Sequence, residues 1–155
     1  MNFQRSHFKL MIYFFIVIII LIVLAYYIKE NLEIERLNTI QTNLLLVQAK
    51  INNIKGDSQI NRDSNTFIGR KLAEYREDSI INNLLEKKII SQDEYDKYYV
   101  LDEMILNENG LGDAIVKDNE YILVNYESEE IVLSRPYIYK KHEYYKLSDI
   151  KQIER

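Results

Sequence analysis

The chain has 155 residues, a mass of 18.6 kDa and a net charge of −4 from 20 Lys+Arg and 24 Asp+Glu, which is room for one small domain and an appendage. It contains no Cys and only two His, His7 and His142, which excludes disulfides, thiol catalysis, iron–sulfur clusters and any multi-histidine metal site. The mildly acidic balance disfavours a duplex-DNA binder, whose phosphate contacts need a basic surface.

The first element is the apolar run 10–28 (LMIYFFIVIIILIVLAYYI), nineteen residues without a charged or amide side chain. At about 1.5 Å per residue it spans roughly 28 Å, close to the hydrocarbon thickness of a bilayer. Its β-branched residues disfavour a helix in water. In lipid the helix wins, because it satisfies every backbone polar group internally. Tyr26 and Tyr27 stand where aromatic rings settle at the interface. Arg5 and Lys9 precede the run, and Lys29 and Arg36 follow it, so the count of basic residues is tied. The short flank 1–9 decides the expectation: a cytoplasmic tail, a retained single-pass helix and an extracytoplasmic head over 29–155. Two alternatives stand beside it. Val23 and Ala25 fit the −3 and −1 positions of a signal-peptide cleavage site. A buried helix of a soluble protein is the other, but a segment apolar on every side suits lipid better.

The second element is an amphipathic spine helix over 29–55. Leu37, Ile40, Leu44, Val47, Ile51 and Ile54 recur at alternating spacings of three and four, an apolar seam that Leu45, Leu46 and Ala49 widen. No Gly or Pro interrupts 10–55, and Gly56-Asp57 is the expected stop. The seam either packs on the chain's own head, which is favoured, or pairs with a second chain as a short coiled coil. A polar loop is expected over 57–66. Its Asn61, Asp63 and Asn65 have the spacing of calcium-loop ligands, but Thr66 and Leu72 occupy the positions of the required Gly and Glu, so a solvated loop is expected.

Loop and short helices fill 56–112. Asp78 is an N-cap candidate for a helix presenting Ile80, Ile81, Leu84, Leu85 and Ile89. Ser91-Gln92-Asp93-Glu94 reads as a capping box, with a helix starting at Gln92. Asp102 is placed to cap a further turn or two that Asn109-Gly110 ends. An antiparallel β region is expected over 113–155. YILVNY (121–126) and IVL (131–133) flank the polar ESEE, a hairpin signal. YYKL (144–147) is a third strand, reached through Pro136 and a tip at Lys140-Lys141-His142, and Ala114 to Lys117 is a candidate edge. The fold class is α+β: a transmembrane helix continuing into a long amphipathic helix, short helices, then a small antiparallel sheet.

Four stretches, TIQTNLLLVQAKINNIK (39–55), FIGRKL (67–72), YYVLDEMILNENGLGD (98–113) and EYILVNYESEEIVLSRPYIYKKHEYYKLSDI (120–150), resemble type IV pilin-like and type II secretion pseudopilin-like proteins of Gram-positive, clostridial-type bacteria. They are similar to the post-membrane helix, middle section and terminal hairpin of that family, over roughly two thirds of the chain. The resemblance implies a pilin-like lollipop, with a membrane helix continuing as the spine of a small α/β head. The prepilin-peptidase motif is missing. No Gly precedes Gly56, Arg5-Ser6-His7-Phe8 stands where that Gly belongs, and no acid lies within 10–28. Processing by that peptidase and polymerisation are therefore not part of what the resemblance implies.

Little in the chain points to catalysis. His142 and Glu143 are adjacent on a strand and point to opposite faces. Glu129-Glu130 sit in a turn and are expected to be exposed, with no burial to raise a pKa. Tyr137, Tyr139, Lys140, Lys141, Tyr144, Tyr145 and Lys146 form a basic-aromatic cluster of the kind that stacks single-stranded nucleic acid. The plainer reading packs alternate tyrosines and leaves the lysines to protect an edge. Residues 29–155 carry 18 basic and 24 acidic residues, so no nucleic-acid partner is expected. No catalytic, cofactor or metal site is expected either. The functional expectation is a non-enzymatic accessory component of a type II secretion or type IV pilus-like apparatus. Its expected partners are the lipid bilayer and other pilin-like subunits or platform proteins. The alternative is a division-type membrane scaffold that pairs through the short coiled coil.

Overall fold

The structure, a computed structural model, describes residues 2–61, 67–75, 78–114 and 121–153, with the side chains of α1 described over 8–60. Helix α1 spans Asn2–Asn61. The expected stop at Gly56 is not used. A glycine inside a helix costs about 1 kcal/mol, too little to end one whose next turn still bonds. The Ser58 hydroxyl donates to the Lys55 carbonyl at 2.9 Å in that turn. The loop expected over 57–66 is thus helical as far as Asn61, and Asp63 and Asn65 of the calcium-like pattern lie outside the described residues.

The chain divides into two compact units, Met1–Leu37 and Asn38–Arg155. In the first, α1 is long and apolar enough to cross a membrane, with an 18-residue window of mean hydropathy 3.0 and none of it buried. An apolar surface of this extent is stable only in an apolar medium or under a covering partner.

The second unit is built on a five-stranded antiparallel sheet in the order β1-β2-β3-β4-β5. The strands are β1 (Arg70–Lys71), β2 (Tyr98–Asp102), β3 (Tyr121–Asn125), β4 (Glu130–Tyr139) and β5 (His142–Lys146). Three short helices complete it: α2 (Ser79–Glu86), α3 (Glu103–Glu108) and α4 (Leu147–Lys151). The hairpin expected at 126–129 forms, with Asn125 paired to Glu130. The Asn125 side chain accepts the amides of Glu127 (2.9 Å) and Ser128 (3.3 Å), and Glu129 takes a left-handed φ of 60° to close the loop.

Four expectations are corrected. The stretch 56–112 supplies two strands, β1 and β2, besides its short helices. Ser91 makes no side-chain cap, and a 3-10 helix over Gln92–Lys97 replaces the expected α-helix. Leu147 opens α4 rather than ending a strand. Pro136, expected in the connection, lies inside β4, where the β4–β5 register shifts between Val132 and Tyr137, so its missing N–H falls at an irregularity. Gly112–Ala114 is a 3-10 turn, and 115–120 lie outside the described residues, where the rest of the candidate edge falls. Two caps stand as expected. Asp78 accepts the amides of Ile80 (2.8 Å) and Ile81 (3.3 Å), and Asp102 accepts that of Ile105 (2.9 Å). Gly110, at φ 70°, ends α3 while the Leu111 amide reaches back to the Leu106 carbonyl.

Both faces of the sheet are buried. On one, Tyr98, Val100, Leu123, Val132 and Tyr145 pack with Leu72, Ile81, Leu84, Ile90 and Tyr95. On the other, alternation places Leu101, Ile122, Val124, Ile131 and Leu133, all buried. The seam of α1 covers this second face. Ile40, Leu44, Val47, Ile51 and Ile54 are buried, and the residues flanking them bond to the surrounding elements. Gln41 donates to the Ile150 carbonyl at 2.8 Å, Lys151 to the Gln48 side chain at 2.6 Å, and Lys55 to the Glu127 carbonyl at 3.2 Å. Leu45 and Leu46, expected to widen the seam, are instead 44% and 56% exposed, so the packed stripe is the narrow one.

Candidate functional site

The end of the sheet opposite the 126–129 turn gathers the basic-aromatic cluster. β4 runs ten residues from that turn and doubles back into β5 through Lys140 and Lys141, with Tyr139 paired to His142. A two-residue hairpin loop of this kind needs φ > 0 at both positions, which Asn-Gly meets most easily. Here two lysines do so, at 46° and 69°. Their backbone strain yields a direct expectation. The double substitution Lys140→Asn/Lys141→Gly should stabilise the head by about 1–2 kcal/mol, seen as a higher urea midpoint at unchanged slope. An unchanged or lower midpoint would contradict the strain.

The C-terminus of α2 meets this hairpin. The Lys87 ammonium donates to the Tyr145 hydroxyl at 2.7 Å and to the Glu143 carboxylate at 3.2 Å, and Glu143 pairs across the ladder with Ile138. Both bonds, that of Tyr145 foremost, raise the pKa of Lys87 above the ordinary lysine value, so it stays an ammonium at neutral pH. A cleft of about 400 Å³ lies alongside, lined by Ser79, Asn83, Lys87, Arg135, Glu143 and Tyr145 among others. Lys88 follows at φ 55°, holding the left-handed position after α2 that glycine usually takes, while the Ile89 amide closes on the Leu84 carbonyl.

The tyrosines of the cluster do not form an open stacking platform. Tyr139 and Tyr145 are buried, and Tyr137 and Tyr144, paired across the ladder, are half-buried. The Lys140 ammonium sits over the Tyr139 ring, 5.1 Å from its centre. His142 and Glu143 are both exposed, and Glu143 is engaged by Lys87 rather than by the histidine.

Glu129 and Glu130 are not the exposed pair that was expected, since the turn folds back on its neighbours. Glu129 bonds Lys55 at 2.7 Å, and Glu130 takes Lys146 at 2.7 Å together with the Tyr98 hydroxyl. Burial, then the Glu130 carboxylate, pushes the Tyr98 hydroxyl far above the ordinary tyrosine range. Burial foremost, with a smaller contribution from Tyr99, pushes Tyr126 up to about 12, against the lowering effect of its bond to Ile68. Its hydroxyl donates to the Ile68 carbonyl and accepts the Ile68 amide, while Phe67 stacks on its ring at 4.1 Å. These groups fasten the chain that follows α1 to the sheet, and sequence reading passed over them because 58 residues separate Ile68 from Tyr126.

Among the described residues no group of three or more His, Asp or Glu is placed to hold a metal ion. The chain matches no protein-family model, no curated protein and no solved structure. It is an α+β chain that joins one N-terminal helix long and apolar enough to span a bilayer to a small five-stranded antiparallel sheet domain.

Proposed function

We propose that this chain is a single-pass membrane protein whose N-terminus is cytoplasmic and whose sheet domain is extracytoplasmic. It serves without catalysis as an accessory component of a type II secretion or type IV pilus-like apparatus. The observation that carries the reading is the fate of the α1 seam: Leu44, Val47 and Ile51 are buried within their own domain. A scaffold that pairs through a coiled coil needs that seam free for a partner, so the division-scaffold alternative loses its contact surface. The sequence resemblance to pilin-like proteins supplies the class of apparatus.

The absence of cysteine makes topology directly testable. Ser148 is exposed on α4, so Ser148→Cys provides a single reactive thiol. In intact cells a membrane-impermeant maleimide should label it, with the protein pelleting in the membrane fraction. Labelling only after lysis would place the head in the cytoplasm and end the extracytoplasmic assignment. Genes for a secretion ATPase and a polytopic platform protein beside this one would support the apparatus, and their absence would count against it.

A further inference from the structure

Four non-glycine residues among those described adopt positive φ: Lys88, Glu129, Lys140 and Lys141. Glu129 closes the 126–129 turn. The other three are lysines, all at the end of the sheet where the β4–β5 hairpin turns. Lys140 and Lys141 form its tip, and Lys88 follows Lys87, which is bonded to Glu143 of the same hairpin. Left-handed backbone costs an L-residue about 1–2 kcal/mol, and glycine or asparagine would remove most of that cost. Strain of this kind points to a demand on the side chain. None of the three lysines ion-pairs with a described residue, whereas Lys55, Lys87, Lys97 and Lys146 all do. Beside them Ile138 stands 64% exposed. The composition is that of an interfacial patch: ammonium groups without an ion-pair partner among the described residues, that of Lys140 resting over the Tyr139 ring, beside one exposed apolar side chain, on a domain whose net charge is otherwise negative.

Two contacts orient this end within the domain. Lys55 of α1 bonds the 126–129 turn at the far end of the sheet, and Asn43 bonds the Asp113 carbonyl, which follows α3 from the near end of β2. The hairpin tip therefore lies towards the Asn38 end of α1. Asn38 is ten residues in sequence from Ile28, the last of the apolar run, at most about 35 Å even when fully extended. A bilayer that holds residues 10–28 thus stays within about 35 Å of Asn38 along the chain.

We propose that Lys88, Lys140 and Lys141, with the exposed Ile138 at the base of the hairpin tip, form a second membrane contact that docks on the anionic headgroups of the bilayer carrying the chain's own helix. The proposal rests on the membrane reading given above. Glu143 does not oppose it, being neutralised by Lys87. A lysine at an anionic surface is worth about fivefold in binding, so two together shift the docked-to-free ratio about 30-fold. The attraction fades within a Debye length.

The test uses the full chain with His142→Cys as its sole thiol, carrying an environment-sensitive dye. It is reconstituted into vesicles of phosphatidylcholine, with or without phosphatidylglycerol, that contain headgroup-attached quencher lipids. At about 0.15 M salt, quenching should be strong only in the anionic vesicles. It should drop about 30-fold in docked-to-free ratio in Lys140→Asn/Lys141→Gly, a variant that removes both charges while relaxing the turn. Equal quenching in both vesicle types, or in that variant, would overturn the docking. A chain that fails to float with either kind of vesicle would overturn the membrane reading itself. A dye response to single-stranded DNA as strong as to anionic vesicles would reassign the patch to nucleic acid.

Discussion

Leu44→Ala should destabilise the head by about 2–5 kcal/mol, the range for a fully buried leucine that leaves a cavity under a packed sheet. Leu44 is completely buried, and the face it covers, with Ile122 and Val124 on the central strand, is buried as well. For a head of this size the loss corresponds to a melting point lowered by at least about 8 °C, measured on the full chain in detergent by circular dichroism of its thermal transition. The control is one residue away. Leu45 is 44% exposed, and Leu45→Ala should stay within about 0.5 kcal/mol of the parent. Equal losses at the two positions would mean that the seam is turned differently. An unchanged melting point with altered self-association would give the seam to a partner chain.

Gly69→Ala should cost about 2–5 kcal/mol, from two sources that add. Its φ of 105° lies where an L side chain is strained, and a Cβ there would stand 2.9 Å from Leu101 Cδ2, 3.0 Å from the Val100 carbonyl oxygen and 3.1 Å from Tyr99 Cβ. The residue lies immediately before β1, against the strand that β1 pairs with, so relief requires moving backbone. Gly110→Ala separates the two terms. That position also has a positive φ, of 70°, but open space around it, and should lose only about 1–2 kcal/mol. Urea midpoints of the two variants check the difference. If Gly110→Ala proved as damaging as Gly69→Ala, the close approach at Gly69 would carry no weight.

The seam, the two aspartate caps and the 126–129 hairpin were legible because each is written locally. A three-four spacing, a capping carboxylate before an apolar face and a polar break between β-branched runs all act over a few residues. β1 and β2 were not, since two residues carry no periodicity and YYVLD is as compatible with a capped helix as with a strand. Helix α1 outran Gly56 because the cost of one glycine is smaller than the bonds of the next turn. The capping box gave way to a 3-10 turn because β2 begins immediately after Lys97 and pulls the chain into extended backbone. The Lys140-Lys141 turn is legible as a tip, but its conformation is not, since no Gly or Asn marks it. The part of the candidate site that comes from α2 had no signal at all. Lys87 stands 56 residues from Glu143, and only the fold brings them together.

The order in which the chain is made runs against the order in which its core closes. Leu44, Val47 and Ile51 leave the ribosome about a hundred residues before β4, β5 and α4 are complete. At about 5–20 residues per second, an apolar stripe waits roughly 5–20 s for its cover. The strands pair only with sequence neighbours, so the sheet closes quickly once its last hairpin is present. Until then nascent α1 is a sticky surface, and any holding factor must act during that interval.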